Sequence, residues 1–292
     1  MPDVPPEAGN AEYVLTLACP DRPGIVHAVA EFLVRRGGNI VDSQQFDDRL
    51  ETRFFMRVHF ETTDAAVSYD QLLGGFAAVA GTYGMDWQMF RTDTPYRVLV
   101  MVSRSGHCLN DLLFRQSRGA LNIVVPAVVG NHRDLEAMAA SYDVPFHHVP
   151  ITPDTRAEAE ARLLGLVDEL SVDLVVLARY MQVLSDDTCR ALNGRAINIH
   201  HSFLPSFKGA RPYHQAHERG VKLVGATAHY VTADLDEGPI IEQDVQRAHH
   251  RMTPEELVRL GSDVESAVLS RAVRWHCESR VLLNGTRTVV FP

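Results

Sequence analysis

Cysteine is scarce in this chain and nothing ties the cysteines together. Cys19, Cys108, Cys189 and Cys277 are spread over 292 residues without a CxxC pair. That spacing argues against a disulfide framework and reads as reduced, mostly buried thiols. Basic charge is also lacking: 28 Lys and Arg against 37 Asp and Glu leave a net charge of −9. A nucleic-acid binder carries a basic patch or stripe, and none is visible. No apolar run approaches the ~18 residues of a membrane span. The start, Met1-Pro2-Asp3-Val4-Pro5-Pro6-Glu7, has no apolar signal core. There is no HExxH and no Cys/His ligand set, so no catalytic metal is expected. These absences together predict a soluble cytoplasmic protein with neither nucleic acid nor membrane as partner.

The length suits about two domains. Residues 1–10 read as a loose tail and 11–92 as a first module. Tyr13 to Leu17 is a strand, and Pro20-Asp21-Arg22-Pro23-Gly24 a turn. Ile25, Val26, Val29, Phe32 and Leu33 then recur at helical spacing. An imperfectly alternating strand (Asn39 to Asp47), a cleaner one (Arg53 to Phe60), a helix (Ala65 to Thr82) and a short strand (Met85 to Phe90) follow. The order is βαββαβ, a ferredoxin-like arrangement.

Residues 93–96 form a polar linker, and from 97 to 292 the pattern changes. Val98 to Val102, Ile123 to Val125 and Leu174 to Ala178 are apolar without alternation. Helical segments separate them: Cys108 to Arg118, Arg133 to Tyr142 and Arg156 to Leu170. Strands buried on both faces and alternating with helices predict a doubly wound, mostly parallel α/β domain. Ligands in such sheets sit beyond the carboxyl ends of the strands. Arg195-Ala196-Ile197-Asn198-Ile199-His200 is one such strand. Asn198 and His200 share a face at its end, and His201 faces away if the strand persists.

An amide and an imidazole at a strand end suit a carbonyl that becomes an oxyanion, where one donor is typically worth about 2.7–4 kcal/mol. Leu235-Asp236-Glu237-Gly238-Pro239 follows a strand of the same sheet, so Asp236 can reach the same crevice. Each residue alone has an ordinary reading: turn former, satisfied buried histidine, loop acid. The three together predict acyl chemistry at Asn198, His200 and Asp236. His229 lies on the strand that leads to Asp236 and is expected to support it.

Two stretches carry family resemblance. Cys19-Pro20-Asp21-Arg22-Pro23-Gly24-Ile25-Val26 with Gly38-Asn39-Ile40 resembles the ACT family of amino-acid-sensing regulatory domains. The resemblance implies a homo-oligomer and a small amino-acid effector near Asp21, Gly24, Ile25, Asn39 and Ile40. Ile197 to Pro205, Gly225 to Val231 and Leu235 to Ile241 resemble the folate-dependent formyltransferase family. That resemblance implies catalytic roles for Asn198, His200 and Asp236 on the formyl group of 10-formyltetrahydrofolate. Leu177 to Leu184 is similar to the segment lining the pterin pocket, which implies substrate contacts at Met181, Val183 and Leu184, closed by Val231 and Thr232. Arg179 and Lys208 are cationic candidates for the acidic folate tail.

Members that formylate a phosphorylated amine begin the domain with a Gly-x-Gly-Ser cradle. Here the position reads Ser103-Arg104-Ser105-Gly106-His107-Cys108, with one glycine. A backbone phosphate cradle needs small residues and open N–H groups. The uninterrupted run from His200 to Ala216 and the ACT module resemble instead the branch in which water replaces the amine. The expectation is hydrolysis of 10-formyltetrahydrofolate to tetrahydrofolate and formate without a cofactor, the formate supplying purine biosynthesis. Transfer to a small amine, or a non-catalytic folate sensor, are the alternatives.

Overall fold

The computed structural model describes residues 11–62, 67–204 and 212–292. The expected tail (1–10), Ala65 and Lys208 lie outside the described residues. The chain divides into two units, with the change from one to the other between Thr94 and Pro95.

In the first unit the order is β1 (Ala11–Pro20), α1 (Ile25–Val34), β2 (Gly38–Asp48), β3 (Arg53–Thr62), α2 (Tyr69–Tyr83) and β4 (Asp86–Arg91). The strands form one antiparallel sheet ordered β2-β3-β1-β4, the expected ferredoxin-like arrangement. Leu15, Leu17, Met56, Val58 and Phe60 of the sheet meet Val29, Leu33, Leu72 and Phe76 of the helices in its core. The imperfect alternation of β2 has a cause: the register shifts between Ile40 and Asp42. Helix α2 is fixed by Ser68, whose hydroxyl accepts from Gln71 N–H while the Gln71 side chain accepts from Ser68 N–H.

The second unit runs β5 (Tyr96–Val102), α3 (His107–Ser117), β6 (Ile123–Val124), β7 (Val128–Gly130), α4 (Glu136–Ala140), β8 (Phe146–His148), α5 (Arg156–Glu169), β9 (Leu174–Leu177), α6 (Asp186–Ala191), β10 (Ala196–His200), α7 (Pro212–Glu218), β11 (Leu223–Tyr230), β12 (Ile240–Arg247) and α8 (Pro254–Cys277). Its sheet is ordered β12-β11-β10-β9-β5-β7-β8, parallel from β10 to β8 and antiparallel at β11 and β12. All of β9 is buried, as its unbroken apolar run requires. Helix α4 is shorter than Arg133 to Tyr142: its N-cap, Leu135, offers no side-chain acceptor, and Asp143 turns left-handed at φ 57°.

The last residues depart from the expectation that 97–292 form one domain. β13 (Val281–Asn284) and β14 (Arg287–Val290) make the hairpin expected around Asn284-Gly285. Residues 278–282 and 289–292 nevertheless group with the first unit. Val289, Phe291 and Leu282 cover the outer-face residues Ala18 and Phe55, and the buried Arg57 donates through Nη2 to the Glu278 carbonyl at 3.1 Å.

Candidate active site

Strand β10 carries Asn198 and His200, with β9 parallel on one side and β11 antiparallel on the other. The register sets His229 directly opposite Asn198. The chain leaves β11 and folds back sharply, with Tyr230 N–H donating to the Pro239 carbonyl at 2.9 Å. Gly238 permits the turn: a Cβ there would stand 1.7 Å from the Tyr230 carbonyl oxygen. Asp236, left-handed at φ 58°, is thereby brought to His200.

The contacts form a closed set. His200 Nδ1 lies 3.2 Å from Asp236 Oδ2, and its Nε2 has no hydrogen-bond partner among the described residues. His229 Nδ1–H donates to the Tyr230 carbonyl at 2.9 Å, which leaves its Nε2 to accept. The group 3.2 Å away is Asn198 Nδ2, so one Asn198 N–H points at His229 and the second has no partner among the described residues. His229 Nε2 is 3.6 Å from Asp236 Oδ1, too long for a hydrogen bond. Burial alone would raise the Asp236 carboxyl. Hydrogen bonding to His200 outweighs it and holds Asp236 well below the usual carboxylate range. Asp236 is therefore an anion at neutral pH.

His201 does not face away from its neighbour. β10 ends at His200, and beyond the strand the two rings stack with centroids 5.1 Å apart. Burial, then Arg179 and His200, lower His201 to about 4, so it is uncharged at neutral pH.

A cavity of about 220 Å³ opens beside these groups. Met181, Val183, Leu184, Val231 and Thr232 all line it, together with Asn198, His200, His229 and Asp236. Leu184 and Val231 are buried, whereas Met181 and Val183 are exposed. Cys189 also lines the cavity, but burial and nearby Glu160 push its thiol up, away from the thiolate that nucleophilic catalysis needs.

Sequence reasoning did not find Glu265, which sits on α8 and is 1% exposed. His107 Nε2 lies 2.7 Å from its Oε2, and Tyr213 Oη–H donates to its Oε1 at 2.6 Å. Arg179 Nε stands 3.3 Å from Oε2, so Arg179 turns towards Glu265 and is not a free cation for a folate tail. Burial alone would raise Glu265, but His107, Arg179 and Tyr213 outweigh it and keep it ionised. His107, Cys108 and Glu265 lie close enough to share an ion, yet the guanidinium beside them opposes a cation there. The start of α3 is no open cradle. A Cβ at Gly106 would stand 2.9 Å from both Leu135 Cδ2 and Met138 Cε, and Ser103 Oγ accepts from Met181 N–H at 2.9 Å.

In the first unit, the residues expected at an effector site lie in the turn before α1 (Asp21, Gly24), on α1 (Ile25) and on β2 (Asn39, Ile40). Gly24 caps α1 at φ 97° and Ile40 is exposed. Asp21 N–H donates to Thr52, and Asn39 donates to Glu61 on β3 at 2.9 Å. Ile25 is 2% exposed in the helix–sheet core, so its side chain is not available to a ligand.

The fold and this constellation define a formyl transferase-type module: residues 96–273 match the formyl transferase family, and residues 13–72 match the ACT domain. A formyltetrahydrofolate deformylase of Corynebacterium sp. (strain P-1) is 55% identical, with 96% of this chain and 98% of the relative covered. The crystal structure of formyltetrahydrofolate deformylase from Burkholderia mallei ATCC 23344 superposes with a TM-score of 0.93 at 50% identity, covering 97% of this chain and 100% of that one. That from Pseudomonas syringae pv. tomato str. DC3000 gives a TM-score of 0.94 at 46% identity, covering 98% and 96%. The chain belongs to the formyltetrahydrofolate deformylase family. No helix among the described residues is long and apolar enough to cross a membrane.

Proposed function

We propose that this chain hydrolyses 10-formyltetrahydrofolate to tetrahydrofolate and formate at the cavity walled by Asn198, His200 and Asp236. The observation that carries the reading is the pairing of His200 Nδ1 with an ionised Asp236, which leaves Nε2 unpartnered among the described residues in a residue that lines the same cavity as Asn198. Asp236 fixes the tautomer with the proton on Nδ1, so neutral His200 has its lone pair on Nε2. Nε2 takes a proton from water as the water oxygen bonds to the formyl carbon. The free Asn198 N–H donates to the oxyanion. The C–N10 bond then breaks, and His200 returns the proton to N10. Such positioned proton transfer is typically worth about 10²–10⁴ in rate. Met181, Val183, Leu184, Val231 and Thr232 form the wall for the pterin. Transfer to a phosphorylated amine has less support, because Leu135 and Met138 crowd Gly106 at the start of α3.

The ACT unit supports a further part of this proposal: control of turnover by a small amino acid, for which glycine and methionine are the natural trials, in a homo-oligomer. Formate made here would supply purine biosynthesis. The decisive experiment measures formate released from 10-formyltetrahydrofolate with no amine present. Steady release, reduced at least about a hundredfold in Asn198→Ala and His200→Ala, is expected. Release that depends on an added amine would replace the hydrolytic reading with a transferase one.

A further inference from the structure

The cavity wall assigned to the pterin is built on neither a strand nor a helix. Met181, Val183 and Leu184 lie between β9, which ends at Leu177, and α6, which starts at Asp186. Met181 is 57% exposed and Val183 53%, so packing does not fix these two side chains. A segment with few buried apolar contacts opens easily unless other bonds hold it. Here polar tethers take that part.

At the near end, Met181 N–H donates to Ser103 Oγ at 2.9 Å. The other tethers come from α5. Arg156 Nη2 donates to the Val183 carbonyl at 2.7 Å. Glu160 Oε1 accepts from Ser185 N–H at 3.0 Å and from Arg156 Nε at 3.1 Å. Its Oε2 accepts from the Thr188 hydroxyl at 2.7 Å and from the Ser185 hydroxyl. One carboxylate, 7% exposed, thus joins α5 to the far end of the wall and to the first turn of α6. Burial alone would raise that carboxyl, but the bonds from Ser185, Thr188 and Arg156 outweigh it and keep Glu160 ionised.

Neither helix calls for this acid. Ser185 already caps α6 by accepting from Thr188 N–H, and Asp186 and Asp187 supply the negative charge that its first turn favours. Helix α5 packs through Leu163, Leu166 and Val167. Apolar side chains in place of a buried ion pair are often neutral or stabilising, so a carboxylate kept here points to geometry. Cys189, next to Thr188, lines the same cavity, so the geometry in question is that of the cavity.

We propose that Glu160 and Arg156 are positioning residues that hold the Met181–Leu184 wall in the shape that receives the pterin. The proposal rests on the hydrolytic reading above. Neither side chain lines the cavity, and each acts through the backbone of the wall. Wall contacts are made alike before and during the reaction, so loss of the clamp raises KM and spares kcat.

Arg156→Ala leaves Glu160 its bonds to Ser185 and Thr188 and releases the Val183 carbonyl. KM for 10-formyltetrahydrofolate should rise by about five- to tenfold, with kcat within about twofold of the parent and Tm almost unmoved. Arg156→Lys, still a donor to that carbonyl, should recover part of the loss. Glu160→Gln turns an amide donor towards Ser185 or Thr188 and should raise KM at least about tenfold. Arg162→Ala, which releases Glu169 on the same helix and nothing on the wall, should keep the parental KM. Calorimetric titration with tetrahydrofolate, which needs no turnover, should show the same losses of affinity. Parental KM and parental tetrahydrofolate affinity in Arg156→Ala and in a folded Glu160→Gln overturn the assignment. An equal rise of KM in Arg162→Ala does so too. A parent enzyme that releases no formate overturns the hydrolytic reading, and the tetrahydrofolate titration then still tests the clamp.

Discussion

His229 stands opposite Asn198 across the β10–β11 pair, and its Nε2 lies 3.2 Å from the Asn198 amide nitrogen. Because its other ring nitrogen is committed to the Tyr230 carbonyl, His229 dictates which way the Asn198 amide points. His229→Ala should therefore lower kcat by about tenfold or more with little change in KM, since it removes orientation and not a substrate contact. His229→Gln, able to accept from Asn198, should recover part of the loss. A steady-state comparison of both variants with the parent checks this; equal KM and kcat in all three would refute the orienting role.

Asp236 lies below the usual carboxylate range, so its ionisation is complete well below neutrality. Loss of activity between about pH 5 and 8 cannot arise from Asp236. Asp236→Asn should cut turnover at least about a hundredfold across that whole range, lowering the whole pH–rate profile. Its charge also favours the folded state. That contribution is complete above the ordinary carboxylate value of 3.8 and fades as pH falls towards the lower folded value.

Two buried histidines act in the same direction at higher pH. Burial lowers His276 to about 4, and burial with Arg179 and His200 does the same to His201. Unfolding releases both to their usual value near 6.5. Between 6.5 and 4 the unfolded chain binds more protons, so stability is complete above 6.5 and declines as pH falls. His276→Phe should lower stability at pH 7.5, because Tyr230 Oη loses a partner 2.7 Å away, yet flatten the acid decline. Urea titrations at several pH values report both effects.

Gly238→Ala tests the return of the loop that carries Asp236. The added carbon would stand 1.7 Å from the Tyr230 carbonyl oxygen, so the backbone must move. Turnover should fall at least about tenfold with a measurable drop in Tm, because small displacements of reacting groups are costly. Gly220→Ala, where φ is 59° but nothing stands within 4 Å, should destabilise only through its backbone and leave activity intact.

The periodicities that made the fold legible were local ones. Period two in β3 and unbroken apolar runs in β5 and β9 are written into consecutive residues. Asn198, His200 and the cavity wall were readable because they lie in short motifs at strand ends. What escaped depends on partners distant in the chain. Glu265 looks like an ordinary helical acid until His107, Arg179 and Tyr213 are folded around it. Ile25 was expected at a ligand because it belongs to the turn motif, but helical geometry turns it into the core. His201 was misdirected by extending a strand that stops one residue earlier.

The placement of residues 289–292 has a consequence for how the protein is made. Phe55 and Ala18 are cooped up beneath Val289 and Phe291, which a ribosome adds after the entire second unit. The module that emerges first is thus finished last. Until then its outer face carries a phenylalanine that Phe46 and Arg53 flank, and an excised fragment of residues 11–94 would present it to its neighbours.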